Sequence, residues 1–188
     1  MKVVHYINQF FGQIGGEEMA HHPLEVRKGA FGPGIALQAL LGDEIEITAT
    51  IVCGDNYFVE NTDVVKPQVI KTLEDESADL LVAGPAFNAG RYGMACGEVC
   101  KIACEELRMT AISGMYEENP GAELYRKYAY IFSTGNSARD MRNALKTISQ
   151  FIKRINAGEK VGSPEKEGYI QRGIRQNYFE DKTGAQRC

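Results

Sequence analysis

The chain has 188 residues, which is room for one ordinary domain built on a single core. Hydrophobic residues make up 44% and charged residues 24%, with a net charge of −4, so the composition excludes a disordered chain and offers no basic footprint for nucleic acid or an anionic membrane surface. Asn8 and Gln9 break the first apolar run before it forms a signal-peptide core, and no segment is long enough to span a bilayer. The five cysteines, an odd number, speak for free thiols in a cytoplasmic protein.

Taken in chain order, Lys2 to Ile7 reads as a first strand and Gly34 to Leu41 as a first helix. Ile45 to Val52, rich in β-branched residues, is a second strand. Thr62 to Glu76 follows as a helix in which Pro67 marks a start or a kink. Leu80 to Ala83, Thr110 to Ser113 and Ala129 to Ser133 complete five strands, separated by helices at Met94 to Leu107 and Ser137 to Asn156. Strand and helix alternate throughout, which predicts an α/β three-layer sandwich with a mostly parallel sheet of about five strands, flavodoxin-like or Rossmann-like. Residues 1–157 form that domain. Residues 158–188, where Tyr169, Ile170, Ile174, Tyr178 and Phe179 interrupt a polar stretch, read either as an arm or linker toward a second domain or as a tail folded back on its own domain.

In an open parallel sheet, ligands bind beyond the carboxyl ends of the strands, so the residues following each strand are the place to look. Gly84 to Gly93 reads as a glycine-rich loop in which Arg91 presents a planar fork to a carboxylate and Asn88 an amide. The competing reading pairs Arg91 with Glu117 or another surface acid. Asn8, Asp55, Tyr57, Tyr116, Glu117 and Glu118 join Asn88 and Arg91 as substrate-binding candidates, the acids for an ammonium group and the rings, with Phe10, Phe11 and Phe58, for a cationic head. Aromatic rings beside strands are, however, more often core residues than cation cages. Together the set suits a zwitterion, and the loops after strands three and four are expected to share one pocket.

Cys96, Cys100 and Cys104 recur every four residues on one helix face, a spacing that suits packing against a sheet and does not converge on a metal ion. Cys96, near a helix start, is expected to have a lowered pKa, and Cys53 follows a strand directly, so these two thiols are the weak catalytic candidates. His5, His21 and His22 lack metal-ligand spacing. Gly32-Pro33-Gly34 fails as a dinucleotide fingerprint because Leu37 stands where a small residue is needed.

Four strings resemble the selenoprotein subunit of component B of glycine, sarcosine and betaine reductases: Lys2 to Phe11, Ala83 to Gly93, Gly114 to Gly121 and Gly168 to Phe179. The resemblance implies a subunit that helps bind and activate glycine, sarcosine or betaine for reductive C–N cleavage leading to acetyl phosphate. It also implies a pyruvoyl group on a partner subunit of component B and a selenocysteine outside these residues, with no cofactor in this chain itself. The partners implied are selenoprotein component A, component C and the thioredoxin system. The family subunit is longer, so the chain is expected to be a fragment inactive by itself. Two other readings stay open, a non-catalytic assembly module and an independent isomerase or racemase using Cys53 and Cys96 as acid and base.

Overall fold

A computed structural model describes residues 1–173. Six strands, β1 (Lys2–Asn8), β2 (Glu25–Lys28), β3 (Glu46–Cys53), β4 (Leu80–Phe87), β5 (Thr110–Met115) and β6 (Tyr130–Ser133), form one sheet in the order β2-β3-β1-β4-β5-β6. All neighbouring pairs are parallel except β2 with β3. The parallel strands thus follow the doubly wound order of flavodoxin-like sheets, and the winding reverses between β1 and β4. The helices are α1 (Pro33–Leu41), α2 (Asp55–Glu60), α3 (Thr62–Asp75), α4 (Gly90–Leu107), α5 (Pro120–Tyr125), α6 (Met141–Asn156) and the short α7 (Pro164–Glu167).

Burial explains the layering. β4 is buried along its whole length and β1 beyond Lys2, as a strand covered on both faces must be. One face packs Val4, Tyr6, Ile51 and Leu81 against α3 and α4, and the other packs Val3, Ile47, Val82 and Phe132 against α1 and α6. α6 buries Ala144, Leu145, Ile148 and Ile152, a single stripe at helical spacing. β2 is the strand that sequence reading misses: Glu-Val-Arg-Lys has no apolar run, and its charges suit an exposed sheet edge.

Helix starts depart from the expected ones in both directions: α6 begins at Met141, later than Ser137, and α4 begins earlier than Met94. α4 starts at Gly90, so the expected Gly84 to Gly93 loop is mostly the end of β4 and the first turn of α4, with only Asn88 and Ala89 between. Asp55 likewise opens α2, and Pro120 opens α5 with the Asn119 side chain accepting from the Gly121 amide at 2.9 Å. α3 runs through Pro67.

The end of β4 leaves its ladder between Ala83 and Phe87, and Gly84 takes φ +93° there. Buried side chains satisfy the carbonyls this frees. Ser113 Oγ donates to Ala83 O at 2.7 Å, His5 Nε2 lies 2.7 Å from Gly84 O, and Asn119 Nδ2 donates to Phe87 O at 2.8 Å. Burial lowers the His5 pKa to about 4 against the opposing effect of its Gly84 bond, so the ring is neutral at pH 7 and donates to that carbonyl.

Of the terminal anchors, Tyr169 and Ile170 fold back on this domain. The Ile170 amide donates to Ile131 O at 2.7 Å, Tyr169 Oη donates to Gly162 O at 2.8 Å, and the Tyr169 ring stacks edge-on to Tyr130, centroids 4.9 Å apart. Ile174, Tyr178 and Phe179 lie outside the described residues.

α4 and α5 touch closely because Gly97 has no side chain; a Cβ there would sit 2.0 Å from Tyr125 Cδ2. Gly97→Ala is therefore expected to lower unfolding free energy by about 1–3 kcal/mol, the usual cost of overpacking, measured by urea denaturation. An unchanged midpoint would mean the α4–α5 contact is not as tight as described.

Candidate functional site

The winding reversal between β1 and β4 leaves a crevice at the carboxyl edge of the sheet, and the concavity there has a volume of about 350 Å³. Its floor comes from the end of β1 with Asn8 and Gln9. Asp55 at the start of α2 forms one wall, Phe87, Asn88 and Tyr92 a second, and Asn136 to Ala138 beyond β6 a third. Phe10 and Phe11 stand at its side, their rings edge to face at 5.2 Å, with Phe10 61% exposed.

Asp55 is the chemically distinctive group. Asn8 Nδ2 donates to its Oδ2 at 3.0 Å, and its own amide donates to Gln9 Oε1 at 3.1 Å. Asn8 is fixed in turn by the Phe11 amide, which donates to Asn8 Oδ1 at 3.1 Å. The other carboxyl oxygen, Oδ1, is buried with no hydrogen-bond partner among the described residues. Burial raises the Asp55 pKa to about 6, and the opposing effects of the Asn8 bond and the Arg91 charge do not cancel it. A buried acid with one unsatisfied oxygen at a cavity wall is prepared for a cation.

The opposite polarity is available nearby. α4 begins at the cavity with no side-chain cap, so its first-turn amides have no partner within the helix and carry the positive end of the helix dipole. The crevice therefore offers a carboxylate on one side and backbone donors on another.

Of the sequence candidates, Asn8, Asp55 and Asn88 come together in this cavity, while Tyr57, Arg91, Tyr116, Glu117 and Glu118 do not line it. Arg91 pairs with Glu17 and Asn56, and Glu117 plays no part in that pair. Glu117 and Glu118 are exposed. The loop that carries them does reach the β4 end, through Asn119 and the Tyr116 amide, which donates to Phe87 O at 2.9 Å. Glu17 and Tyr92 line the cavity without having been singled out. Glu17 lies in a segment with no strand or helix pattern of its own, and Tyr92 reads as loop until α4 is extended to Gly90.

The thiol expectations are corrected by burial. Cys53 and Cys96 are both fully buried, and desolvation pushes the Cys53 thiol up to about 12 and the Cys96 thiol well above its ordinary value. Cys96 sits almost two turns into α4, too far from the first-turn amides to feel them. Neither is a thiolate at neutral pH, which removes the acid–base pair an isomerase would need. Among the described residues, no group of three or more His, Cys, Asp or Glu is placed to hold a metal ion, and no helix is long and apolar enough to cross a membrane.

Residues 1–188 match the family model described as glycine/sarcosine/betaine reductase selenoprotein B. The chain is 51% identical over 188 residues to the sarcosine reductase complex component B subunit beta of Peptoclostridium acidaminophilum. It is 50% identical over the same length to the glycine reductase complex component B subunit gamma of Symbiobacterium thermophilum; both alignments cover all of this chain and 43% of the relative. The betaine reductase complex component B subunit beta of Peptoclostridium acidaminophilum is 39% identical over 180 residues, 96% of this chain and 41% of that protein. The chain thus spans less than half the length of these relatives. No solved structure matches it.

The raised Asp55 pKa has a direct consequence for stability. The folded state holds the Asp55 proton more tightly than the unfolded chain, so its favourable contribution is complete below pH 3.8 and is lost as pH rises through about 6. Asp55→Asn removes that loss. At pH 7 the variant is expected to be more stable than the parent by roughly 2–3 kcal/mol, the difference vanishing near pH 4, measured by urea denaturation across that range. A difference independent of pH would show that Asp55 titrates normally.

Proposed function

We propose that this chain, which belongs to the glycine/sarcosine/betaine reductase selenoprotein B family, forms part of the substrate-binding crevice of component B in such a reductase. The observation that carries the reading is the buried Asp55 carboxyl, with Oδ1 unpartnered among the described residues, at the wall of the switch-point cavity. Glycine, sarcosine and betaine share a cationic nitrogen one methylene from a carboxylate. Asp55 faces the nitrogen, the α4 amides and Asn88 receive the carboxylate, and Phe10 and Phe11 cover methyl groups on the nitrogen.

A bound cation replaces the solvation that Asp55 lacks, which favours its ionised form and tightens binding as pH rises through about 6. Asn8 holds the Asp55 carboxylate and Gln9 its backbone amide in place before substrate arrives, so little ordering is left for the binding step. In this role the chain binds and orients substrate and excludes water.

The sequence contains no selenocysteine. In this reading the bond-breaking chemistry comes from the pyruvoyl carbonyl of a partner subunit and from a selenol, both outside these residues. Component A then takes the carboxymethyl group, component C forms acetyl phosphate, and the thioredoxin system provides electrons.

Two measurements test the proposal. Calorimetric titration with glycine, sarcosine and betaine at pH 7.5 is expected to give saturable binding of at least one, weakened about tenfold or more by Asp55→Asn, the loss of a charge-assisted contact. Failure of all three to bind, or an unaffected Asp55→Asn variant, would overturn it. The 188-residue chain, assayed with dithiol, substrate and purified components A and C, is expected to form no acetyl phosphate. Turnover by the chain by itself would contradict the assignment of the redox step to other residues.

A further inference from the structure

At the amino ends of β5 and β6, the opposite edge of the sheet from Asp55, lies a second concavity of about 300 Å³. Its wall includes Arg108, Thr110, Tyr128, Tyr130 and Arg172 and contains no carboxylate. Two more cations flank it, with Lys101 Nζ 5.5 Å and Lys127 Nζ 5.0 Å from the centroid of the Tyr128 ring. Among the described residues none of these four cations forms an ion pair.

Arg172 is held in place. Its Cζ stacks 4.5 Å from the centroid of Tyr130, its Nη2 donates to Lys127 O at 3.0 Å, and its Nε is buried without a partner among the described residues. A fixed guanidinium with an unused buried donor, facing a cavity that also carries a second guanidinium, is an arrangement that repels itself when empty and attracts an anion. The carbonyl end of α4 accounts for Arg108, which caps it, but not for Arg172 or Lys127 on other elements.

We propose that this concavity binds a small, multiply charged oxyanion, a phosphate group being the simplest. The Arg108 and Arg172 guanidiniums and the Thr110 hydroxyl donate to it, and Lys101 and Lys127 add charge. Four positive groups on a chain of net charge −4 favour a dianion over a single carboxylate. The site stands apart from the reading of the Asp55 cavity and survives its failure.

The test is a titration of the 188-residue chain with inorganic phosphate, followed by amide NMR against sodium chloride at matched ionic strength. Saturable shifts are expected at Met109 to Ala111 and Tyr128 to Tyr130. Arg108→Gln and Arg172→Gln should each weaken phosphate about tenfold or more, the loss of a charge-assisted donor pair, while Arg139→Gln leaves it unchanged. Arg108 lies outside the terminal segment, so its variant reports on the site even if Arg172→Gln loosens that segment. Shifts that chloride reproduces, phosphate binding indifferent to both variants, or a site that takes an acidic peptide but not phosphate would each overturn the proposal.

Discussion

The end of β1 holds the start of α2, and the carboxyl edge of the sheet is organised around that grip. Asn8 bonds the Asp55 carboxylate and Gln9 bonds the Asp55 amide, so the first turn of α2 is tied to the strand on one side of the winding reversal. Two neutral amides satisfy one oxygen and the backbone, and they leave the second oxygen buried without a partner among the described residues. Desolvation then outweighs the hydrogen bonds, and the acid keeps its proton to about pH 6. Asp55 is costly to hold ionised and correspondingly ready for a cation.

The other side of the crevice depends on a different device. β4 departs from its ladder after Ala83, which would orphan several buried carbonyls in the middle of the molecule. His5, Ser113 and Asn119 each supply a donor from a neighbouring element. Phe87 and Asn88 are thereby held at the cavity wall by polar bonds from β1, β5 and the loop before α5. His5 is thus a structural donor, and Asn119 serves both that loop and the cap of α5.

The architecture was legible in the sequence wherever one element has one dominant pattern. β1, β3, β4 and β5 are apolar runs between turn residues, and α6 is a clean amphipathic stripe, so the parallel α/β sandwich could be read directly. β2 could not, because a charged four-residue edge strand is defined by its partner. The place of Asp55 and Asn88 at the cavity was legible because both follow strands directly, at the carboxyl edge of the sheet. Arg91, Glu117 and Glu118 were attractive on chemistry alone, but their directions depend on where α4 begins and how the loop before α5 turns, and the start of α4 is hidden by glycines that obscure the helical period. The lowered pKa expected of Cys96 is reversed for a related reason: spacing shows which face a cysteine occupies, while burial decides whether it ionises.

The ionisation of Asp55 can be observed directly at its carboxyl carbon by NMR titration of the labelled chain. In the free chain the midpoint is predicted near pH 6, falling when glycine, sarcosine or betaine saturates the cavity, because a bound cation favours the carboxylate. A midpoint near the ordinary aspartate value of about 4, or one that none of the three ligands moves, would contradict it.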